Sequence, residues 1–294
     1  MTLSVVSTPH AQRRRLTARV ISVSVAPVRR EPDDASEQVT QALMGAPAQV
    51  VETASKSWAR VRLADYEGWV EQSHLGAPPQ KKECVAVVAA PRAPLFARAN
   101  GVATRGEVFA TTVLPLGDDA EQTGGKRARV ALPGGRYGWL ERSAFVARPA
   151  SDPFPARGVP AALELARELL GAPYLWGGVT AQGIDCSGFA QLACREGGAP
   201  IPRDADQQYH ALPYVVDRDS VRAGDLVYFA SRGRITHVGI ALDNVWLLHA
   251  NDFTHSVVIS SLDPSNSDYS ALLAGMYAGA RRPFVGASDA RAQK

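Results

Sequence analysis

The stretch Tyr174-Leu-Trp-Gly-Gly-Val-Thr-Ala-Gln-Gly-Ile-Asp-Cys-Ser-Gly-Phe189 decides how the rest of the 294-residue chain is read. Its glycine-rich half cannot sustain regular structure, while Asp185 is a good helix N-cap and Phe189, Leu192 and Ala193 follow at the spacing of a buried helical face. Cys186 therefore falls in the first turn of a helix. Free backbone N–H groups and the positive end of the helix dipole there favour a thiolate over a thiol of ordinary pKa, roughly 8.5. Lone cysteines are as often small buried hydrophobes, so Cys186 needs partners before it reads as a nucleophile.

Two histidines supply them. His237 opens one β-type run and His249 ends the next, and a hairpin turning near Asp243-Asn244 sets the two opposite each other, at ~4.5–5.5 Å between Cβ atoms. A thiol nucleophile needs a base within hydrogen-bond reach and a group that orients the base, which are the roles expected of His237 and His249. A zinc reading of the same three residues lacks a C-x-x-C or His-x-x-x-His clamp. The other cysteines, Cys84 and Cys194, read as core filler, and an odd, unpaired set of three argues against a disulfide framework and for a reducing compartment.

Working outward, Ala161 to Leu170 is an amphipathic helix with Ala162, Leu165, Ala166 and Leu169 on one face. The Cys186 helix is followed by four strands, Asp225–Phe229, His237–Ala241, Val245–His249 and Val257–Ser260, so this part is an α+β domain with an antiparallel meander. The preceding 149–160 contains several prolines without periodicity and reads as a linker. Before it lie two similar blocks of short β-type runs, expected over 16–78 and 83–148. Ala59-Arg-Val-Arg-Leu63 with Gly68-Trp69 returns as Ala128-Arg-Val-Ala-Leu132 with Gly138-Trp139, at offsets of 69 and then 70 residues. Trp58, Trp69 and Trp139 are expected in the barrel cores. Glu31-Pro-Asp-Asp34 and Gly117-Asp-Asp119 are expected as rim loops, and residues 1–15 and those after Gly286 as loose ends. A net charge of +3 without a basic, aromatic-interleaved stripe excludes nucleic acid as an expected partner, and no run reaches the ~20 apolar residues of a membrane span.

The motifs Tyr174-x-Trp176-Gly-Gly178, Asp185-Cys-Ser-Gly188, Pro202-Arg-Asp-Ala205, Ala223-Gly-Asp225, His237-Val-Gly239 and His249, in this order over about 160–284, resemble the NlpC family of papain-like cysteine peptidases. The Gly-Trp-(Val/Leu) strands resemble bacterial SH3-like domains. The implied fold is two small SH3-like β-barrels followed by an α+β papain-like catalytic domain over 161–286. The resemblance implies cleavage of cell-wall peptides between D-γ-glutamate and a diamino acid, with Cys186 as nucleophile, His237 as base, His249 as third polar member and no cofactor. The Cys186 N–H and the Tyr174 hydroxyl would hold the oxyanion, unless Tyr174 is only a packed aromatic. Trp176 and Ser187, inside the motifs, are expected at the substrate. Arg203 and Asp204 look like an ion pair at the cleft, where Arg203 could instead meet a substrate carboxylate.

The paired SH3-like layout further resembles a subset acting on short, released murein peptides with a free N-terminal L-Ala, in which Asp185 and Tyr66, from the turn Asp65-Tyr-Glu-Gly-Trp69, would bind the ammonium. A further acidic residue used by that subset has no assigned position, Glu37 being only a guess. This layout implies a cytoplasmic monomer in peptide recycling. The alternatives are an exported lytic endopeptidase acting on intact wall stem peptides, and a non-catalytic or acyl-transferring relative. Permuted relatives of the last kind would place the histidine before the cysteine, which is not the order here.

Overall fold

The computed structural model describes residues 17–54, 57–117 and 125–286. The expected loose ends at Arg13–Arg15 and beyond Gly286, and Asp118 and Asp119 of the second rim loop, lie outside the described residues.

The first β unit contains β1 (Thr17–Ile21), β2 (Val25–Arg29), β3 (Gln38–Leu43), β4 (Pro47–Ala54), β5 (Trp58–Arg62), β6 (Glu67–Glu71) and β7 (Leu75–Gly76). They pair in the order β3-β2-β6-β5-β4-β1-β7. Alternation along each strand sends Ile21, Ala26, Val28, Ala59, Val61 and Val70 into one core. The expected run Leu16–Val28 is broken into two strands at Ser22-Val-Ser24, and the polar-rich β3 is an addition to the expected runs.

The second β unit has β8 (Cys84–Val88), β9 (Arg92–Phe96), β10 (Thr104–Phe109), β11 (Val113–Pro115), β12 (Arg127–Leu132), β13 (Arg136–Glu141) and β14 (Phe145–Pro149). They form one sheet in the order β10-β9-β13-β12 and another in the order β11-β8-β14. The repeat seen in sequence is also a repeat of register. Ala59, Arg60 and Val61 face Val70, Trp69 and Gly68, just as Ala128, Arg129 and Val130 face Leu140, Trp139 and Gly138. A single 3-10 turn follows each, Gln72–His74 and Arg142–Ala144. The β4–β5 ladder of the first unit has as its counterpart the lone bridge Leu116–Val130. Of the three tryptophans only Trp69 is buried; Trp58 and Trp139 are half-buried, because the core is built by the intervening small residues of the same strands. Cys84 is exposed rather than core, since burial on β8 begins one residue later, at Val85.

The third part holds α1 (Gly158–Glu168), β15 (Val179–Thr180), β16 (Gly183–Ile184), α2 (Cys186–Glu196), α3 (Ala205–Ala211), β17 (Val215–Val216), β18 (Leu226–Ser231), β19 (Arg234–Ala241), β20 (Trp246–Asn251), β21 (Ser256–Ser261), α4 (Ala271–Met276) and β22 (Tyr277–Arg281). Helix α1 starts before the expected Ala161 because Pro160 fits a first helical turn, where its missing N–H has no partner to lose. The sheet has six strands, β17-β22-β18-β19-β20-β21, rather than the expected four. β22, from the far end of the chain, is antiparallel to β18 and extends the meander on the side away from β19.

Strand β18 is buried along Leu226-Val-Tyr-Phe229, the pattern of a strand covered on both faces. Leu226 and Tyr228 pack with Phe189, Leu192 and Cys194 of α2 on one face, and Val227 and Phe229 pack with Leu273 of α4 on the other. The β units hold α2 at both ends. At its start Arg203 reaches Thr40 of β3, and at its end Glu196 bonds Arg148 of β14 and Arg157 from the segment before α1. No helix among the described residues is long and apolar enough to cross a membrane.

Candidate active site

Helix α2 begins where the sequence places it. Asp185 caps it, its carboxylate accepting from the Gly188 N–H at 2.7 Å, a bond of a kind that stabilises a helix by ~0.5–2 kcal/mol. The glycines before it are steric requirements. Gly177 has φ 72° and a Cβ there would lie 2.5 Å from the Gln38 carbonyl, so only glycine lets this loop close onto the first β unit.

A cleft of about 1510 Å³ runs over the start of α2. Cys186, Ser187, His237 and Tyr174 line its centre, and Tyr66, Glu37, Trp176 and Asp204 line the end against the first β unit. The Cys186 thiol is buried, and backbone N–H groups of Val238 and Ser187 are directed at it. Burial is nevertheless the larger effect and pushes the thiol up to about 12, with Asp185 adding to it. At the helix start, loss of water thus acts against the thiolate that the dipole and the two N–H groups favour.

His237 Nε2 lies 2.9 Å from His249 Nδ1, and His249 Nε2 lies 2.9 Å from Ser260 Oγ on β21. The strand register differs from the expected one by two residues. Ile240 faces Leu248 and Ala241 faces Leu247, because Leu242 and Trp246 close a three-residue turn centred on Asn244. The rings meet diagonally across the two strands, their planes nearly perpendicular at 87°. An irregularity after Phe229 leaves Thr236 as an extra residue just before His237, a bulge of the kind that re-aims a side chain. Burial lowers His237 to about 4, opposed by Asp252 and Asp185, and lowers His249 to about 3. Both rings are neutral at neutral pH. With the Nε2 proton of His237 donated to His249, and the Nε2 proton of His249 donated to Ser260, Nδ1 of His237 keeps the free lone pair a base needs.

Arg203 is not paired with Asp204. It is fully buried, donates to both Asp185 oxygens (NH1 at 2.9 Å, NH2 at 2.7 Å), and adds bonds to Ser187 Oγ and Gly178 O and from Nε to Thr40 Oγ1. Asp185 also accepts from Gly177 N and Gly188 N, so its charge is met by donors and a guanidinium. Asp185 and Tyr66, expected together around an ammonium, both line the cleft but share no hydrogen bond among the described residues. Tyr66 donates instead to Asp204 Oδ2 at 3.3 Å, because Asp204 faces the cleft from the start of α3. Burial and that carboxylate raise Tyr66 to about 12, and burial raises Asp204. Glu37 accepts from the Trp176 indole at 2.9 Å and pairs with Arg30. Tyr174 is half-buried at the cleft wall, and burial next to Cys186 and Asp185 keeps its hydroxyl protonated as a donor.

Sequence reasoning missed Thr40, Ser260 and Gln208, whose fully buried amide donates to Ser187 O and Pro202 O beneath the nucleophile. Only Gln208, one helical turn past Asp204, carries a local signal. Among the described residues no group of three or more His, Cys, Asp or Glu could hold a metal ion.

A buried thiol at a helix start, an imidazole held by a second ring, and a protonated phenol beside them define a cysteine peptidase of the papain type. Residues 171–275 match the model of the NlpC/P60 family, and residues 28–75 that of the bacterial dipeptidyl-peptidase SH3 domain. The chain thus carries an NlpC/P60 cysteine peptidase domain behind a bacterial SH3 domain. It is 27% identical over 265 residues to the Bacillus cereus gamma-D-glutamyl-L-lysine dipeptidyl-peptidase, spanning 85% of this chain and 76% of that protein. A Bacillus subtilis protein of the same name is 42% identical over 96 residues, 32% of either chain. The crystal structure of an NlpC/P60 family protein from Bacillus cereus shares the fold, with a TM-score of 0.80 and 24% identity over 92% of this chain and all of that one.

Proposed function

We propose that the protein hydrolyses the bond between D-γ-glutamate and a diamino acid in murein peptides that bear a free N-terminal L-Ala, as a recycling peptidase of the bacterial cytoplasm. The observation that carries this reading is the end of the cleft against the first β unit, where Tyr66 and Glu37 stand with Asp204 and Trp176 in the same lining as Cys186. Two carboxylates and a phenol gathered at this end suit a terminal ammonium. The names of the two Bacillus relatives support the same bond class.

In this mechanism the γ-carbonyl sits over Cys186 and the S–H proton passes to Nδ1 of His237 as sulfur attacks. The Cys186 N–H and the Tyr174 hydroxyl receive the oxyanion. His237 returns the proton to the departing amine, and then takes one from the water that hydrolyses the thioester. Starting from a neutral thiol and a neutral imidazole, charge develops only when substrate is in place.

The second β unit, with its matching register, is read as a second SH3-like barrel, and the domains as divided near 78–83 and 149–160, in a monomer. The test is turnover of L-Ala-D-γ-Glu-diaminopimelate against the same peptide acylated at its amine. Cleavage of the free peptide ~10- to 100-fold faster, the order of a hydrogen bond to a charged group, is expected. Equal rates would instead favour the exported lytic reading, and no turnover of either a non-catalytic module.

A further inference from the structure

The far end of the cleft is built differently. The hydrogen bonds quoted between the first β unit and the peptidase domain run to residues between Trp176 and Asp204, while the opposite wall is the β18–β19 hairpin with α4. That hairpin turns through Arg232-Gly233 between the paired residues Ser231 and Arg234. Both turn residues have positive φ, 51° and 75°. Such a two-residue turn favours Asn-Gly, and an arginine at its first position is held in a backbone conformation that its Cβ disfavours. Backbone strain of this kind, at the lip of an active cleft, points to a side chain kept for what it does. Arg232 and Arg234 are both exposed, both line the cleft, and neither side chain is in an ion pair or hydrogen bond among the described residues.

Resting on the peptidase reading above, we infer that Arg232 and Arg234 bind a carboxylate at the end of the leaving residue's side chain, so that the enzyme prefers a diamino dicarboxylic acid such as diaminopimelate over lysine. The direction of the substrate follows from its chemistry. Its amino terminus lies against Tyr66 and Asp204, its scissile carbonyl at Cys186, and its leaving amine at His237, which must protonate it. Arg234 precedes His237 on the same strand by three residues, at most roughly 10 Å between Cα atoms at the ordinary strand rise. The leaving side chain extends toward it. Two guanidinium groups there attract a terminal carboxylate and repel an ammonium that lacks one, so both attraction and exclusion serve the choice. Asp206 and Asp252, also on the cleft wall, have the sign to meet the ammonium common to both diamino acids, and the discrimination rests on the arginines. The relatives above are named for lysine, and on this point the chain is inferred to differ from them.

The test compares kcat/KM for L-Ala-γ-D-Glu-meso-diaminopimelate, its amide at the terminal carboxyl, and L-Ala-γ-D-Glu-L-Lys. The full-length protein and an Arg232→Asn/Arg234→Gln variant are used, the asparagine keeping a residue suited to the turn. The unmodified protein should favour the diaminopimelate peptide about tenfold or more, the size of one charge-assisted hydrogen bond. The amide should lose that advantage, and the variant should bring the ratio toward one while raising the lysine rate. Equal rates in the unmodified protein, or a preference that survives in the variant, overturn the inference and leave the peptidase reading standing. If the unmodified protein cleaves none of the three, the peptidase reading fails and this inference with it.

Discussion

The two β units share a strand register and differ in what their turns do. In the first, the turn after β5 presents Tyr66 to the cleft, where it bonds Asp204. In the second, the corresponding turn runs through Pro133-Gly-Gly135 and presents no tyrosine; Tyr137 lies on β13 at the register position of Glu67, 44% exposed, with the Arg129 guanidinium over its ring at 4.8 Å. The one-residue difference in repeat offset falls in this turn. The two units thus share the register of one strand pair and differ at the loop that joins it, where change leaves the core undisturbed. The second unit meets the catalytic domain at the opposite end of α2, through Arg148 and Glu196, and also at the β15–β16 turn, where Gln182 donates to Glu107 and Phe109 packs with Val179.

The comparison presumes that the cleft touched by Tyr66 is the active one, and the largest expected effect tests that. Cys186→Ala should remove hydrolysis of the tripeptide altogether, with far-UV circular dichroism and thermal midpoint close to those of the parent. Normal turnover in that variant would end the mechanism. Next, His249→Ala should lower kcat roughly 5- to 150-fold, since it leaves His237 and Ser260 without a buried partner at ~1–3 kcal/mol. His249→Asn, able to accept from one and donate to the other, should lose much less; equal losses would mean that the ring only fills space.

The direct contest is between the two tyrosines. Tyr66→Ala should raise KM for the free tripeptide about tenfold and relax discrimination against the acylated peptide, while Tyr137→Ala changes neither. If the two variants behave alike in steady-state kinetics, the divergence of the turns has no functional meaning.

The smallest effect concerns pH. His237 and His249 have folded-state values of about 4 and about 3, below the ordinary ~6.5, so the unfolded chain protonates them first as pH falls. Their contribution is complete above ~6.5 and is lost as pH drops toward 4, at up to ~1.4 kcal/mol per pH unit for each ring. Calorimetry should show the thermal midpoint falling between pH 7 and pH 5, and falling less in His249→Asn. A midpoint that stays flat over that interval would show that the rings are not held neutral.

What was legible in the sequence was local. An N-cap, a thiol one residue later and an apolar face at helical spacing all lie within ten residues, and the repeated Gly-Trp strand needs only comparison of the chain with itself. The Asp185–Arg203 pair spans 18 residues and completes its bonding with Thr40, 163 residues from Arg203, which no spacing announces. Ser260 could not be named before the β20–β21 pairing was known, and the two-residue error in the histidine register came from centring the turn on Asp243 rather than Asn244. The state of the Cys186 thiol was misjudged for another reason: the helix dipole can be read from a cap, whereas burial depends on everything that folds over it.

That buried, protonated sulfur has a consequence for chemical inhibition. An alkylating reagent meets Cys186 as a buried thiol, under a tenth exposed and pushed up by that burial, while Cys84 at the start of β8 is exposed. Broad thiol labels should therefore reach Cys84 more readily than Cys186. An inhibitor suited to this cleft would bring its own electrophilic carbonyl or nitrile to Cys186, so that His237 takes the proton as the sulfur attacks.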